Sequence, residues 1–224
     1  MVTINRTPET PLLDALGAAN PSARLQAALA AGTQADPGLA GPLVARCAVE
    51  PDFFVRDMLT WALTRLPAEV TVPRLVEELR SRRAQARSQA LHTLSKIGDR
   101  TAWPSITRSL LHDPDDEVAR SAWRAAVVLA PPGARGELAA DLAHQLGRGD
   151  RAVQLSLSRA LVALGDAAEP ALRPGLASPD EGVRAHARAT HRLLQDPDAA
   201  FDLAVDEAKR IVALGPDRAA ETAC

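Results

Sequence analysis

The chain has 224 residues, 46% apolar but only 3% aromatic, with no tyrosine and a net charge of −2. That length and apolar share allow a sizeable core, no run approaches the roughly 18 apolar residues of a membrane span, and the near-neutral balance argues against a generally basic nucleic-acid binder. Cys47 and Cys224 make no disulfide framework and point to a reducing cytoplasm, and Met1–Arg6 has no apolar stretch behind a basic head, so secretion is not expected.

Residues 1–9 carry no helical period and are expected to be flexible. From residue 10 the chain reads as helical hairpins. Thr10, with Leu12 and Leu16, starts a first helix, and Asn20-Pro21-Ser22 turns the chain into a second one over 22–31. Pro42, with Val44 and Ala48, opens the next hairpin; Pro51-Asp52 leads into 54–66, where Val55, Leu59, Ala62, Leu63 and Leu66 lie on one face. Pro73, with Leu75 and Leu79, precedes a helix over 84–97 whose face is Ala86, Ala90, Thr93, Leu94 and Ile97, closed by Gly98-Asp99. Pro104, with Ile106 and Leu110, leads through Asp113-Pro114-Asp115-Asp116 to 118–129, with Val118, Ala122, Ala125, Ala126 and Leu129. Gly136, with Leu138 and Leu142, leads through Gly149-Asp150 to 152–164, with Val153, Leu157, Ala160, Leu161 and Leu164, and Gly165-Asp166 follows. Pro170, with Leu172 and Leu176, leads through Ser178-Pro179-Asp180 to 183–194, with Val183, Ala187, Thr190, His191 and Leu194. A last helix over 199–214 has Phe201, Val205, Ala208, Ile211 and Val212 as its stripe, and 215–224 is expected to be a flexible tail.

The prolines Pro42, Pro73, Pro104 and Pro170 recur at spacings of 31, 31 and 66, the last about two periods. Proline in a first turn costs little, because its missing N–H would have no partner there. The apolar offsets 0, 4, 7, 8 and 11 of the second helices mark one buried helical face, and Asp, Asn and Ser in the turns supply N-caps. No strand-like alternation of useful length is present. The reading is all-α, a single array over 10–214.

Asp113-Pro114-Asp115-Asp116-Glu117-Val118 and Ser178-Pro179-Asp180-Glu181-Gly182-Val183-Arg184 resemble the hairpin turn and second helix of HEAT repeats, especially the bacterial PBS-lyase HEAT-like form. The resemblance covers roughly residues 10 to 195. It implies a right-handed α-solenoid of about six HEAT-like helical hairpins, with 199–214 as a C-terminal capping helix. An arginine commonly follows the valine in that family; Arg24, Arg56, Arg87 and Arg184 hold the place, while Ala119 and Gln154 depart from it. Those four are expected to reach the Asp-bearing turns of neighbouring repeats as a structural ladder.

The resemblance also implies that the second helices line a concave surface. The six predicted second-helix windows hold eleven basic residues and one acid, Asp57, an excess of ten on a chain of net charge −2. This segregation predicts a basic groove with an acidic back. Beyond the ladder, Arg65, Lys96, Arg120, Arg124, Arg159, Arg188 and Arg192 are candidates for binding a partner, and Trp61, His92, Arg124 and Arg159 share one offset off the core side. Arg80, Arg82 and Arg83 form a second basic cluster in the turn before 84–97.

Catalytic and metal signatures are absent from the sequence: there is no paired-Cys or His/Cys ligand spacing, no Gly-rich phosphate loop and no Gly-x-Ser-x-Gly elbow. No histidine is followed by glutamate, unlike the His-Glu pairs of the HEAT-like deoxyhypusine hydroxylases. No cofactor is implied. Asp57 and Trp61, four apart on one helical face, weakly resemble the concave-face pair of the HEAT-like alkylpurine DNA glycosylases, and Cys47 gives similarly slight support to phycobilin lyase chemistry. His191 and Trp103 are expected in the core, and Trp123 half exposed. The expectation is a non-catalytic cytoplasmic scaffold or adaptor that takes an acidic protein segment in the basic groove, with a nucleic-acid-binding module as the alternative and no role at a membrane.

Overall fold

The computed structural model describes residues 9–196, and all its regular elements there are helical. The expected helix at 199–214 and both expected flexible ends, apart from residue 9, lie outside the described residues. No helix among them is long and apolar enough to cross a membrane.

The chain falls into two compact units, Met1–Leu138 and Ala139–Cys224. The first holds the hairpins α1 (Glu9–Leu16) with α2 (Pro21–Gln34), α3 (Ala40–Cys47) with α4 (Phe53–Thr64), α5 (Ala68–Glu78) with α6 (Ala84–Ile97), and α7 (Arg108–Leu111) with α8 (Asp116–Leu129). Within it α2 packs on α4, α4 on α6 and α6 on α8, so the second helices form one continuous layer. Helix α9 (Arg135–Ala143) starts at the end of the first unit and runs into the second. There α10 (Arg151–Ala163) and α11 (Ala168–Leu176) both pack on α12 (Glu181–Gln195).

The second helices start where the turn chemistry predicts. Asn20, Asp52, Asp115, Asp150 and Asp180 are extended N-cap residues, each accepting a backbone N–H from its own first turn at 2.8–3.2 Å. Helix α6 alone of this set has a residue without a cap bond, Arg83, at that position. Gly98 closes α6 in the left-handed region at φ 73°, where a side chain would be strained.

The first helices are less regular than the proline spacing implies. Pro42 and Pro170 stand in first turns as expected, but Pro73 is the sixth residue of α5 and Pro104 lies in a 3₁₀ helix, Arg100–Ser105. Pro73 is tolerated because it and Glu69, whose carbonyl loses its intrahelical partner, are both exposed and can be solvated. The 3₁₀ segment leaves α7 only four residues long. Trp123 fills the room beside it: the ring is fully buried, not half exposed, and its Nε1–H donates to the Leu111 carbonyl at 2.9 Å. Trp103, expected in the core, is only half-buried within the 3₁₀ segment.

Helices α2 and α4 approach closely at Gly32. A Cβ there would stand 2.3 Å from Cζ3 of Trp61 and 2.9 Å from the Cα of Ala62, so the contact requires glycine.

The arginine ladder exists, in two forms. Arg24, Arg56, Arg87 and Arg184 each donate through Nη1 to the carbonyl six residues back, at 2.7–3.0 Å, clasping their own turn. Among the described residues, only Arg24 and Arg87 also reach an acid in the following turn. Arg87 pairs with Asp113, and Arg24 is met by Glu50, fully buried, at 2.8 and 2.7 Å. Both acids lie 26 residues beyond their arginine; at the same distance from Arg56 stands Arg82, and the rung is missing.

Glu50 is a junction of three hairpins. Its carboxylate also accepts from Arg46 and from the Asp52 N–H, and its carbonyl accepts from Gln85 on α6. Burial alone would raise the carboxyl, but the hydrogen bonds from Arg24, the Asp52 amide and Arg46 outweigh it and hold the group down at about 2.

In the second unit the buried imidazole is His186, not His191, which is half-buried. Nδ1 of His186 accepts the Gly147 N–H at 3.0 Å, so the ring proton sits on Nε2, between the Gln154 carbonyl and Ser158 Oγ, both at 3.0 Å. Ser158 is linked on to Thr190, which donates to the His186 carbonyl. Burial depresses the imidazole's proton affinity and the bond to Gln154 partly restores it.

Candidate functional site

The second helices carry less net positive charge than their predicted windows. Helix α8 begins at Asp116 and α12 at Glu181, so Asp116, Glu117 and Glu181 fall inside the helices, where first-turn acids are favoured by the helix dipole. Arg151 joins α10, and Arg65 is left at the C-terminal end of α4. Eleven basic residues thus face four acids, an excess of seven rather than ten.

Of the candidate residues, Trp61, Arg65, His92, Lys96, Arg120 and Arg124 belong to the first unit. Arg65, Lys96 and Arg124 are exposed. Arg120 is engaged with Glu117 at 2.6 Å across one helical turn, and Arg124 donates from Nη2 to Ser121 Oγ at 3.1 Å. His92 is half-buried on α6; burial lowers its proton affinity first, then the charges of Arg124 and Lys96, against a smaller opposite pull from Asp57. Both influences favour the neutral imidazole. Arg159 on α10 and Arg188 and Arg192 on α12 belong to the second unit, and all three are exposed.

His92 and Arg124 come together in a cleft of about 320 Å³ across the exposed faces of α4, α6 and α8. Its walls include Phe53, Asp57 and Thr60 from α4, Ser88 from α6, and Glu117 and Ser121 from α8. Thr60, Ser88 and Ser121, all small and all buried, lie at its floor. Trp61 does not line it: the indole lies over Gly32 instead, so the resemblance based on Asp57 and Trp61 does not place the two in one pocket.

Phe53 stands at the rim with Phe54 packed against it, and neither is among the candidates the sequence suggested. Phe53 and Phe54 are 64% and 70% exposed, packed edge to face with ring centres 5.7 Å apart, and the Arg56 guanidinium sits 5.9 Å from the Phe53 centroid. The signal was available: both residues precede Val55, the first core position of the helix, and so fall outside the buried register. With Trp61, exposed at 38%, helix α4 displays three of the chain's six aromatic residues.

Cys47 has no free thiol chemistry to offer. It is buried in α3, and burial first, then the Glu50 charge, against a smaller opposing effect of Arg56, pushes its thiol up to about 12. The Ser158–His186 pair is likewise not arranged as a nucleophile and base, because the imidazole nitrogen nearest the hydroxyl carries the proton. Among the described residues no group of three His, Cys, Asp or Glu side chains stands together as a metal site would require.

Comparison with known proteins gives the repeat family. Residues 42–127 match the family of HEAT repeats, the stretch from α3 to α8 that contains the cleft. No curated protein matches the chain. Among solved structures, one engineered protein is 22% identical with a TM-score of 0.47, covering 85% of this chain and 97% of that one. A second engineered protein is 18% identical with a TM-score of 0.46, covering 85% and 98%. The complex of CpcE and CpcF of phycocyanin lyase from Nostoc sp. PCC7120 is 20% identical with a TM-score of 0.48, covering 87% and 79%.

Proposed function

Taking as premise a chain that carries HEAT repeats over residues 42–127, we propose that it is a non-catalytic cytoplasmic scaffold that binds an acidic protein segment on its second helices. The observation that carries this reading is the composition of one helical layer. Lys96 on α6, Arg124 on α8 and Arg65 at the end of α4 are exposed, and Arg124 shares its cleft with Phe53 of the aromatic pair on α4. Aromatic and arginine side chains are the usual energetic centres of protein interfaces. Arg159, Arg188 and Arg192 extend the supply of exposed cations into the second unit.

The same cations could meet phosphates, but Asp57, Asp116 and Glu117 are interleaved with them on α4 and α8, which suits a protein segment better than a uniformly charged backbone. Association would be salt-sensitive for either partner, through steering and charge pairing. The discriminating experiment compares wild type with the Arg124→Glu, Arg159→Glu double variant. Retention of a protein partner by wild type and its loss from the double variant, with no nucleic-acid binding at near-physiological salt, supports the scaffold. Nucleic-acid binding lost in the same variant would replace it.

A further inference from the structure

We infer that the α4–α6–α8 cleft is the anchor point of this surface, receiving one carboxylate side chain of a partner segment whose neighbouring apolar residue rests on Phe53 and Phe54. The inference rests on the scaffold reading and narrows it to a site and a ligand chemistry.

Three independent features meet there. The first is size: about 320 Å³ is room for a side chain and its near backbone, not for a folded domain or a duplex. The second is polarity. Arg124 is the wall's exposed cation, hydrogen-bonded to Ser121 and so held in place rather than sweeping freely. Thr60 also lines the cleft; it is 3% exposed, and its hydroxyl has no hydrogen-bond partner in the protein. A buried hydroxyl without a partner costs free energy that an occupant's oxygen would return. The third is the aromatic rim. Phe53 and Phe54 brace each other, and Phe53 is held by Arg56, whose guanidinium is itself anchored to the Glu50 and Pro51 carbonyls. Aromatic surface that is already ordered loses little entropy when covered.

The cleft's own acids restrict the occupant. Asp57 and Glu117 stand in the same walls, and Glu117 is already engaged by Arg120. A single carboxylate can approach Arg124 and the Thr60 hydroxyl past them, whereas a phosphate chain would bring several negative charges against both. The segment is therefore acidic and apolar in alternation, not a polyanion.

The probe is a fluorescein-labelled, capped short peptide of Glu, Leu and Ser, tested by anisotropy against the full chain beside its Glu→Gln and Leu→Ser versions. The expected result is binding of the parent peptide, weakened at least about tenfold by either change. Arg124→Gln should abolish the preference for Glu over Gln, and Phe53→Ala the preference for Leu over Ser. Both replaced side chains are exposed, and tryptophan-monitored unfolding confirms that each variant is folded. If the Glu preference survives Arg124→Gln but disappears in Arg159→Gln or Arg188→Gln, the cleft is overturned while the scaffold reading stands. If no peptide is distinguished from its Gln version by any protein, both fall. A single-stranded DNA oligomer that displaces the peptide and depends on Arg124 in the same way would overturn the choice of a protein segment.

Discussion

Replacing Glu50 by glutamine tests the physical basis of the first unit. The carboxylate is fully buried, with Arg24, Arg46 and the Asp52 amide all donating to it, and Arg24 is itself only 5% exposed. An isosteric amide keeps the volume but leaves the Arg24 charge buried without its counter-ion. The carboxyl stands at about 2 against an ordinary 4.5, and at roughly 1.4 kcal/mol per tenfold change in proton affinity this is worth about 3 kcal/mol. Removing one partner of a buried pair typically costs about 3–5 kcal/mol, which agrees. Glu50→Gln should therefore lower the first unit's stability by about 3 kcal/mol and its Tm by about 10 °C. Tryptophan fluorescence reads that unit alone, because Trp61, Trp103 and Trp123 all lie within it. The sign with pH follows from the lowered folded value: the contribution is present above 4.5 and is lost as pH falls from there through about 2. Wild type should lose the extra stability over that window, while the glutamine variant has none to lose. A loss below about 1 kcal/mol, or the same acid sensitivity in both proteins, would mean that the buried pair does not stabilise the unit.

Other perturbations have comparably direct readouts. Because the folded His186 binds its proton more weakly than an unfolded histidine, the second unit's stability is full above 6.5 and falls as pH drops through the lowered folded value; amides of α10 and α12 should lose exchange protection toward pH of about 5, after allowance for intrinsic rates. Unchanged protection would contradict the network drawn around Gly147 and Ser158. Thr60→Val removes a buried hydroxyl with no partner and should raise thermal stability by about 1 kcal/mol; a loss of stability would mean the hydroxyl has a partner after all. Gly32→Ala should destabilise the first unit by about 1 kcal/mol, overpacking outweighing the gain in helix propensity, with a shift in Trp61 emission. An unchanged spectrum and melting curve would show that α2 and α4 can part without cost.

The second helices were legible to within three residues at either end because two signals coincide there, a capping turn and a buried face at offsets 0, 4, 7, 8 and 11. The first helices were not. Proline spacing marks the repeat but does not fix where a helix starts, so Pro73 could be read as a first-turn residue and Pro104 as the head of a full helix. Trp123 was misplaced because offset 5 was left out of the core face, whereas Thr60, Leu91 and Ser158 at that offset are buried as Trp123 is. His186 was hidden because its burial depends on a loop amide 39 residues away in sequence, which no helical period encodes. At the candidate site, Arg124 is exposed and His92 half-buried, while the charge excess was overstated where first-turn acids lay just outside the predicted windows. The rung between Arg87 and Asp113 and its counterpart at Arg24 and Glu50 share a 26-residue spacing that the sequence already displays.

The scaffold reading stands on whether the exposed second-helix cations bind an acidic protein segment. The most direct measurement is titration calorimetry of a capped peptide of alternating glutamate and leucine at near-physiological salt, with wild type and the Arg124→Glu, Arg159→Glu variant side by side. The expected result is saturable binding to wild type, weakened by added salt and absent from the folded double variant. Equal binding to both proteins, or none to either, would contradict it.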